Sequence, residues 1–201
     1  MNSKDLFLQK SIELITQLTS NYWLINGTLL GIVRDNNQIK WDNEIDVGVL
    51  ADEICREDVI KLFTSNNYKL IGSIDSSDYI NFSKGEFILD INLFRPSDQY
   101  YKSIWELEDF SIKERIINKI ILYVNSLFSK NIKNLEAKRK AYLGYSIPKL
   151  FLFPLIEVTY KNYKVQLPNN SEKVLEHIYG QNWQIPNKNY NWIIDGENNA
   201  T

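Results

Sequence analysis

The sequence of 201 residues contains only one cysteine and one histidine. The single cysteine, Cys55, cannot form a disulfide within the chain, and such a composition is typical of proteins from a reducing compartment. One cysteine and one histidine also leave no cluster of soft ligands of the kind that a structural zinc site needs. The sequence therefore excludes a disulfide-stabilised fold and a zinc-finger type of site.

The chain also lacks an excess of positive charge and a long apolar run. Its formal net charge is −2, whereas nucleic-acid-binding domains usually carry a basic surface. No stretch approaches the roughly 18 apolar residues of a membrane-spanning helix, and the N-terminus shows no signal-peptide pattern. We therefore expect no nucleic-acid partner and a cytoplasmic location.

What is present is the composition of an ordinary globular domain. Hydrophobic residues make up 44% of the chain and charged residues 24%, values that are typical of soluble domains. The length suits one domain with a sizeable core. We predict a single domain over 1–201, with a core at about 20–98, a helical segment at about 99–145 and a C-terminal segment at about 147–187.

Helical and strand patterns alternate along this domain. Strands are predicted over 22–25, 42–47, 68–74, 79–83, 87–94, 157–160 and 164–167. Helices are predicted over 3–19, 29–34, 53–65, 99–145 and 171–179.

The most informative strand begins with carboxylates at alternate positions, Asp42, Glu44 and Asp46. Side chains two residues apart on a strand point to the same face, so Glu44 and Asp46 lie together while Ile45 and Val47 face the core. Two adjacent carboxylates repel each other unless a cation lies between them, and hard divalent ions such as Mg²⁺ prefer such oxygen ligands. The pattern predicts a metal-dependent transfer site.

A further acid, Asp90, lies inside the apolar strand FILDINLF. Burying a carboxylate there is costly unless the group is paired or bound to a metal. An arginine or backbone donors are one way to satisfy it. A place beside Glu44 and Asp46 as a third metal ligand is the interpretation we favour.

Charge is distributed unevenly. Residues 1–110 carry 10 basic and 18 acidic side chains, whereas residues 111–150 carry 9 and 2. The apolar residues of this second segment follow the spacing of one helix face. The basic side chains of 113–140 then have two interpretations. They form the solvated side of a core helix, or they form a surface that contacts an anionic acceptor or, peripherally, the inner membrane face.

Four ordered segments resemble landmarks of the LicD family, which includes the fukutin-type proteins. The first is NGTLLGIVRDNNQIKWDNEIDVGV, which is similar to the family pattern G-[ST]-L-L-G-x-x-R followed by W-D and an acidic strand ending in I-D. The others are FILDINLF, LFPLIEVTYKNYKVQLP and YGQNWQIP. Together they cover roughly residues 20–187.

This resemblance implies an α+β, nucleotidyltransferase-like fold: a small mixed β-sheet flanked by helices, with a helical insertion and a C-terminal hairpin and helix. It also implies roles for individual residues. Gly27 and Thr28 would form a phosphate-binding turn, and Arg34 would clamp a diphosphate. The metal ligands for Mg²⁺ or Mn²⁺ would be Asp42, Glu44, Asp46 and Asp90. Asp42 or Asp90 would be the catalytic base.

The resemblance further implies transfer of a phospho-alcohol, such as phosphocholine, ribitol phosphate or glycerol phosphate. The donor would be CDP-activated, the acceptor a hydroxyl of a cell-surface glycan or its lipid-linked precursor, and CMP would be released. Two alternatives are a nucleotidyltransferase that adds NMP from an NTP to a small molecule or protein, and a non-catalytic binding subunit.

Three positions depart from the family pattern. Asn43 and Glu44 replace aspartates of the acidic strand. Glu44 keeps the negative charge, and its side chain, longer by one methylene, would shift the metal spacing or the choice of metal. Lys40 replaces a proline and is available to meet a donor phosphate. For Trp41 we weigh core packing equally with stacking on the donor base.

Overall fold

The computed structural model describes residues 2–72, 77–106 and 142–190. The elements in these ranges are α1 (Ser3–Ile15), β1 (Tyr22–Leu24), α2 (Asn26–Asp35), β2 (Glu44–Leu50), α3 (Arg56–Ser65), β3 (Lys69–Gly72), β4 (Tyr79–Lys84), β5 (Phe87–Ser97), β6 (Tyr100–Glu106), β7 (Tyr142–Pro148), α4 (Lys149–Leu152), β8 (Ile156–Tyr160), β9 (Tyr163–Leu167) and α5 (Ser171–Tyr179). The predicted α+β class, a mixed sheet with flanking helices, is confirmed.

The main sheet has the strand order β1-β2-β5-β4-β3. Its central pair, β2 and β5, is parallel, and its other pairs are antiparallel. The end of β5 also pairs with β6, which in turn pairs with β7 and extends the same sheet. The strands β8 and β9 form the predicted C-terminal hairpin, and α5 follows it.

The two central strands alternate between a core face and a polar face. On β2 and β5 the core face consists of β-branched and leucine side chains that are fully or almost fully buried: Ile45, Val47, Val49, Leu89, Ile91 and Leu93. An aromatic layer covers this side, since Phe7 of α1 stacks on Phe87 and Phe63 of α3 stacks on Phe82. The alternation leaves Asp46, Asp90 and Asn92 on the opposite face.

The helix predicted over 99–145 is wrong at both of its ends. Tyr100–Glu106 and Tyr142–Pro148 are strands that pair with each other. Aromatic and β-branched side chains are frequent in the first of them, YYKSIWE, and such residues favour a pleated strand when a partner is available. The basic stretch 113–140 lies outside the described residues, so its proposed contact with a membrane stays a prediction.

Two smaller predictions also change. The second helix begins at Asn26 rather than at Leu29, so Gly27 and Thr28 lie in its first turn. At the N-terminus, α1 begins at Ser3 as predicted but ends at Ile15 rather than at residue 19. The side chain of Asn2 caps its start by accepting a hydrogen bond from the Asp5 amide. Within the described part of the chain, no helix is long and apolar enough to span a membrane.

Candidate active site

The register of the sheet brings three polar side chains into one row. Asp46 of β2 lies directly opposite Asp90 of β5, and Asp90 lies opposite Asn81 of β4. Glu44, two residues before Asp46, extends the row on the same face. One carboxylate oxygen from each of Glu44, Asp46 and Asp90 lies within 4.8 Å of the others. The predicted convergence of the two acidic strands is therefore present in the fold.

Electrostatic repulsion at this row is strong. Burial, followed by the charges of Asp90, Asp42 and Glu44, raises the pKa of Asp46 well above its ordinary value. Burial and the charge of Glu44 raise the pKa of Asp90 to about 7, against the opposing effect of a hydrogen bond from Asn81. Burial and Asp42 likewise raise the pKa of Glu44. Such a group of acids gains most from a bound cation.

The first turn of α2 packs against Asp46. Asn26, which adopts a left-handed conformation with φ of 49°, directs its amide toward Asp46 at 3.4 Å. Thr28 accepts a hydrogen bond from the Asp46 backbone N–H at 2.8 Å through its hydroxyl, which also lies 3.5 Å from the carboxylate. The predicted phosphate-binding role of Thr28 stays a prediction, since the contacts seen are with Asp46.

Gly27 lies where a side chain could not be placed. A Cβ atom at this position would come within 2.6 Å of Asp42 Oδ2 and 3.6 Å of Asp46 Oδ2. The other carboxylate oxygen of Asp42 accepts a hydrogen bond from the Glu44 amide at 2.8 Å. Asp42 thus lies between the start of α2 and the start of β2, next to the three convergent carboxylates rather than among them.

The acids lie in a cleft of about 1180 Å³. Aromatic side chains from β4, β6, β7, α5 and the segment after it line the cleft: Tyr79, Trp105, Tyr145, Tyr179, Trp183 and Tyr190. Burial raises the pKa of Tyr145 and Tyr179, with Asp46 adding to both effects. These phenols therefore stay neutral, and the cleft combines an acidic floor with an aromatic wall.

The remaining predicted residues differ in their placement. Arg34 lines the cleft, but its guanidinium makes two hydrogen bonds of 2.8 Å to Asp35. Trp41 also lines the cleft and is 49% exposed, so the core-packing alternative is wrong and stacking on a base stays a prediction. Lys40 is exposed and is not among the residues that line the cleft.

Several residues at the site were missed by sequence reasoning. Asn81 donates to Asp90, and this partner differs from the arginine or backbone donors considered as the structural alternative. No local pattern indicates a role for Asn26, which directs its amide toward Asp46. Lys4 donates to the backbone oxygen of Asp42 at 2.6 Å across 38 positions of sequence. Nothing in a local pattern indicates contacts of this kind, because tertiary packing creates them.

The sequence matches the family model LicD/FKTN/FKRP, nucleotidyltransferase domain, over residues 19–170. The chain belongs to this family. The match includes α2, the acidic strand β2, Asp90 and the β8–β9 hairpin. LicD membership, inferred above from four sequence segments, is thereby confirmed.

The individual relatives that match this LicD-family chain have low sequence identity to it. The ribitol-5-phosphate transferase FKTN of Homo sapiens is 24% identical over 189 residues, which are 92% of this chain and 34% of the relative. The uncharacterized protein RT0683 of Rickettsia typhi (strain ATCC VR-144 / Wilmington) is 30% identical over 96 residues, 47% of this chain and 29% of the relative. The chain thus spans about a third of the length of these relatives.

Among solved structures, the lincosamide antibiotic adenylyltransferase LnuA, with lincomycin bound, resembles the chain with a TM-score of 0.48. Its sequence identity is 16%, and the alignment covers 88% of this chain and 86% of LnuA.

Proposed function

We propose that the protein is a metal-dependent phosphotransferase that moves a phospho-alcohol from a CDP-activated donor to a hydroxyl of a glycan or its lipid-linked precursor. The observation that carries this proposal is the convergence of Glu44, Asp46 and Asp90 within 4.8 Å at the floor of the cleft. Membership of the LicD family and the ribitol phosphate named for the FKTN relative support the phospho-alcohol class.

The residues present fit a hard divalent cation. Carboxylate oxygens from two adjacent strands converge on one point, and Mg²⁺ and Mn²⁺ prefer oxygen ligands. The side-chain amide oxygens of Asn26 and Asn81 are buried with no hydrogen-bond donor among the described residues. The site is thus rich in acceptors and short of donors, which is the chemistry of a cation site rather than of a structural polar cluster.

Glu44, Asp46 and Asp90 would hold the ion, with Asp42 beside them. When bound, the ion neutralises the charge that builds up on the transferred phosphate. In the reaction, the acceptor oxygen bonds to the donor's distal phosphorus, the bond from that phosphorus to the bridging oxygen breaks, and CMP leaves. The hydroxyl proton passes to a cleft carboxylate, for which Asp42 and Asp90 are the candidates.

Other groups at the cleft suit the phosphates and the base of such a donor. The amides of residues 26–28 precede the first turn of hydrogen bonds in α2, and helix N-termini favour phosphate groups. Arg34 offers a guanidinium at the cleft for the diphosphate, shared with Asp35. Trp41, half-exposed at the cleft, supplies a flat apolar surface for the cytosine base.

The test is a comparison of donors. We expect CDP-ribitol, CDP-glycerol or CDP-choline, with Mn²⁺, to raise the melting temperature of the wild type and to yield CMP, and Asp46→Ala to show neither effect. Pyrophosphate release from an NTP, with no response to any CDP-alcohol, would instead establish the nucleotidyltransferase alternative. Donor binding without CMP release in the presence of a glycan acceptor extract, together with unchanged biological activity of Asp46→Ala, would establish the binding-subunit alternative.

A further inference from the structure

The first turn of α1 contacts the loop that carries Asp42. Lys4 Nζ donates to the backbone oxygen of Asp42 at 2.6 Å and lies 3.4 Å from that of Ile39. Lys4 is half-buried, and desolvation lowers the pKa of its ammonium although four carboxylates oppose this change. This helix lies before residue 19, where the family match begins.

A second contact fixes the position of that helix turn. Asp5, which is fully buried, accepts hydrogen bonds from Gln38 at 2.9 Å and Tyr160 at 3.1 Å and forms an ion pair with Lys161. The same turn of α1 is therefore bonded to the loop after α2 and to the β8–β9 hairpin. Because Asp5 cannot shift without breaking these bonds, its neighbour Lys4 is held over the loop.

We propose that Lys4 is a positioning residue of the acidic site, which holds the loop 37–43 so that the Asp42 carboxylate faces Gly27 and the metal ligands. The inference rests on the proposed function. Lys4 fixes the Asp42 carbonyl, and Asp42 Oδ1 accepts a hydrogen bond from the Glu44 amide, so one ammonium orders the residue that leads into β2. Because Lys4 binds the backbone of Asp42, the carboxylate oxygen Oδ2 of Asp42 remains directed at Gly27.

Lys4 has two effects on cation binding, and they have opposite signs. Its positive charge near Asp42, Asp46 and Glu44 disfavours a second cation at the site. Its hydrogen bonds to the loop, in contrast, favour cation binding if they hold Asp42 in place. Removing the ammonium therefore tightens Mn²⁺ binding if charge dominates and weakens it if positioning dominates.

The experiment measures Mn²⁺ binding by calorimetry, together with hydrogen exchange, for the wild type, Lys4→Met, Lys4→Arg and Lys10→Met. Lys10 is a matched control because it lies on the same helix and pairs only with Glu13 at the surface among the described residues. We expect Lys4→Met to weaken Mn²⁺ binding about 10-fold, as loss of an outer-shell partner typically does. Lys4→Arg, which keeps the charge and the hydrogen-bond donors, should bind Mn²⁺ about as tightly as the wild type, and so should Lys10→Met.

Hydrogen exchange gives a readout that needs no metal. We expect faster exchange in Lys4→Met for peptides over 37–44 and unchanged exchange in β5, whereas general unfolding would accelerate both. Equal or tighter Mn²⁺ binding by Lys4→Met, or unchanged exchange of 37–44, would overturn the proposal. If the wild type itself binds no Mn²⁺, the metal site of the proposed function fails, and the exchange result still decides whether Lys4 holds the loop.

Discussion

Asp5 and Asp46 are both buried aspartates, yet their surroundings differ completely. Asp5 has a cation, a phenol and an amide as partners, and although burial raises its pKa, these hydrogen bonds together bring the pKa below its ordinary value. Asp46 is surrounded by other acids, and its pKa is raised well above its ordinary value. The partners of the first carboxylate favour its ionised form, whereas the surroundings of the second disfavour its ionised form.

This difference is the one expected between an acid that stabilises the fold and an acid that binds a ligand. A buried charge with a full set of partners contributes to the fold, and its removal leaves those partners unsatisfied. A buried charge among like charges destabilises the fold and is typical of a ligand site. The pair Asp5 and Lys161 joins α1 to the C-terminal hairpin. In the proposed function, Asp46 and Asp90 would instead offer their oxygens to a bound cation.

The largest expected effect is on activity. Asp46→Ala and Asp90→Ala should each reduce CMP release more than about 100-fold, because loss of a metal ligand costs more than loss of an outer-shell partner. The melting temperature without metal should stay near that of the wild type or rise, since removing one acid relieves repulsion. Enzyme assays and calorimetry check these outcomes. Extensive unfolding of either variant would place that acid in the scaffold and remove the contrast with Asp5.

At Asp5 the expected effect is a loss of stability. Asp5→Ala should lower the free energy of unfolding by about 3 kcal/mol, since it leaves buried partners of a charged group unsatisfied. For a chain of this size that corresponds to a fall in melting temperature of roughly 6–12 °C. Urea unfolding of Asp5→Ala and of a control, Lys164→Met, measures this loss. Among the described residues, the control breaks only an exposed ion pair with Glu157. Equal stability of the two variants would refute a structural role for Asp5.

The smallest expected effect concerns pH. The pKa of Asp90 is about 7 in the folded protein, above that of an unfolded aspartate at about 3.9. The metal-free folded state therefore binds protons more tightly than the unfolded state, and its stability should fall as pH rises from roughly 4 to 7. We expect a drop of several degrees in melting temperature across this range, which Mn²⁺ reverses at the upper end.

A matched variant sharpens the pH comparison. Asp90→Asn removes one of the raised groups and should flatten the pH profile, whereas Asp5→Ala should keep its slope over pH 5–7. The pKa of Asp5 is lowered, so its contribution to stability is lost only as pH falls below the unfolded value of about 4. A profile with the same slope in wild type and Asp90→Asn would show that other groups set the pH dependence.

Much of the site followed from the sequence because its signals are local. The i, i+2 spacing of Glu44 and Asp46 fixes their common face, and an acid in an apolar strand marks Asp90. The same local reasoning failed at 99–106 and 142–145, where apolar periodicity suggested a helix but two strands pair across a long separation. Pairing of this kind depends on a partner that a sequence window does not contain.

The sequence by itself determined the family, the α+β class and the acids that carry the proposed chemistry, because motif spacing and strand alternation are properties of short segments. Only the tertiary structure decided which acid has partners. It placed Asp46 beside Asp90 through the parallel β2–β5 register, and it gave Asp5 a lysine 156 positions away. The charge state of a carboxylate depends on what surrounds it in space, and the order of residues alone does not fix that environment.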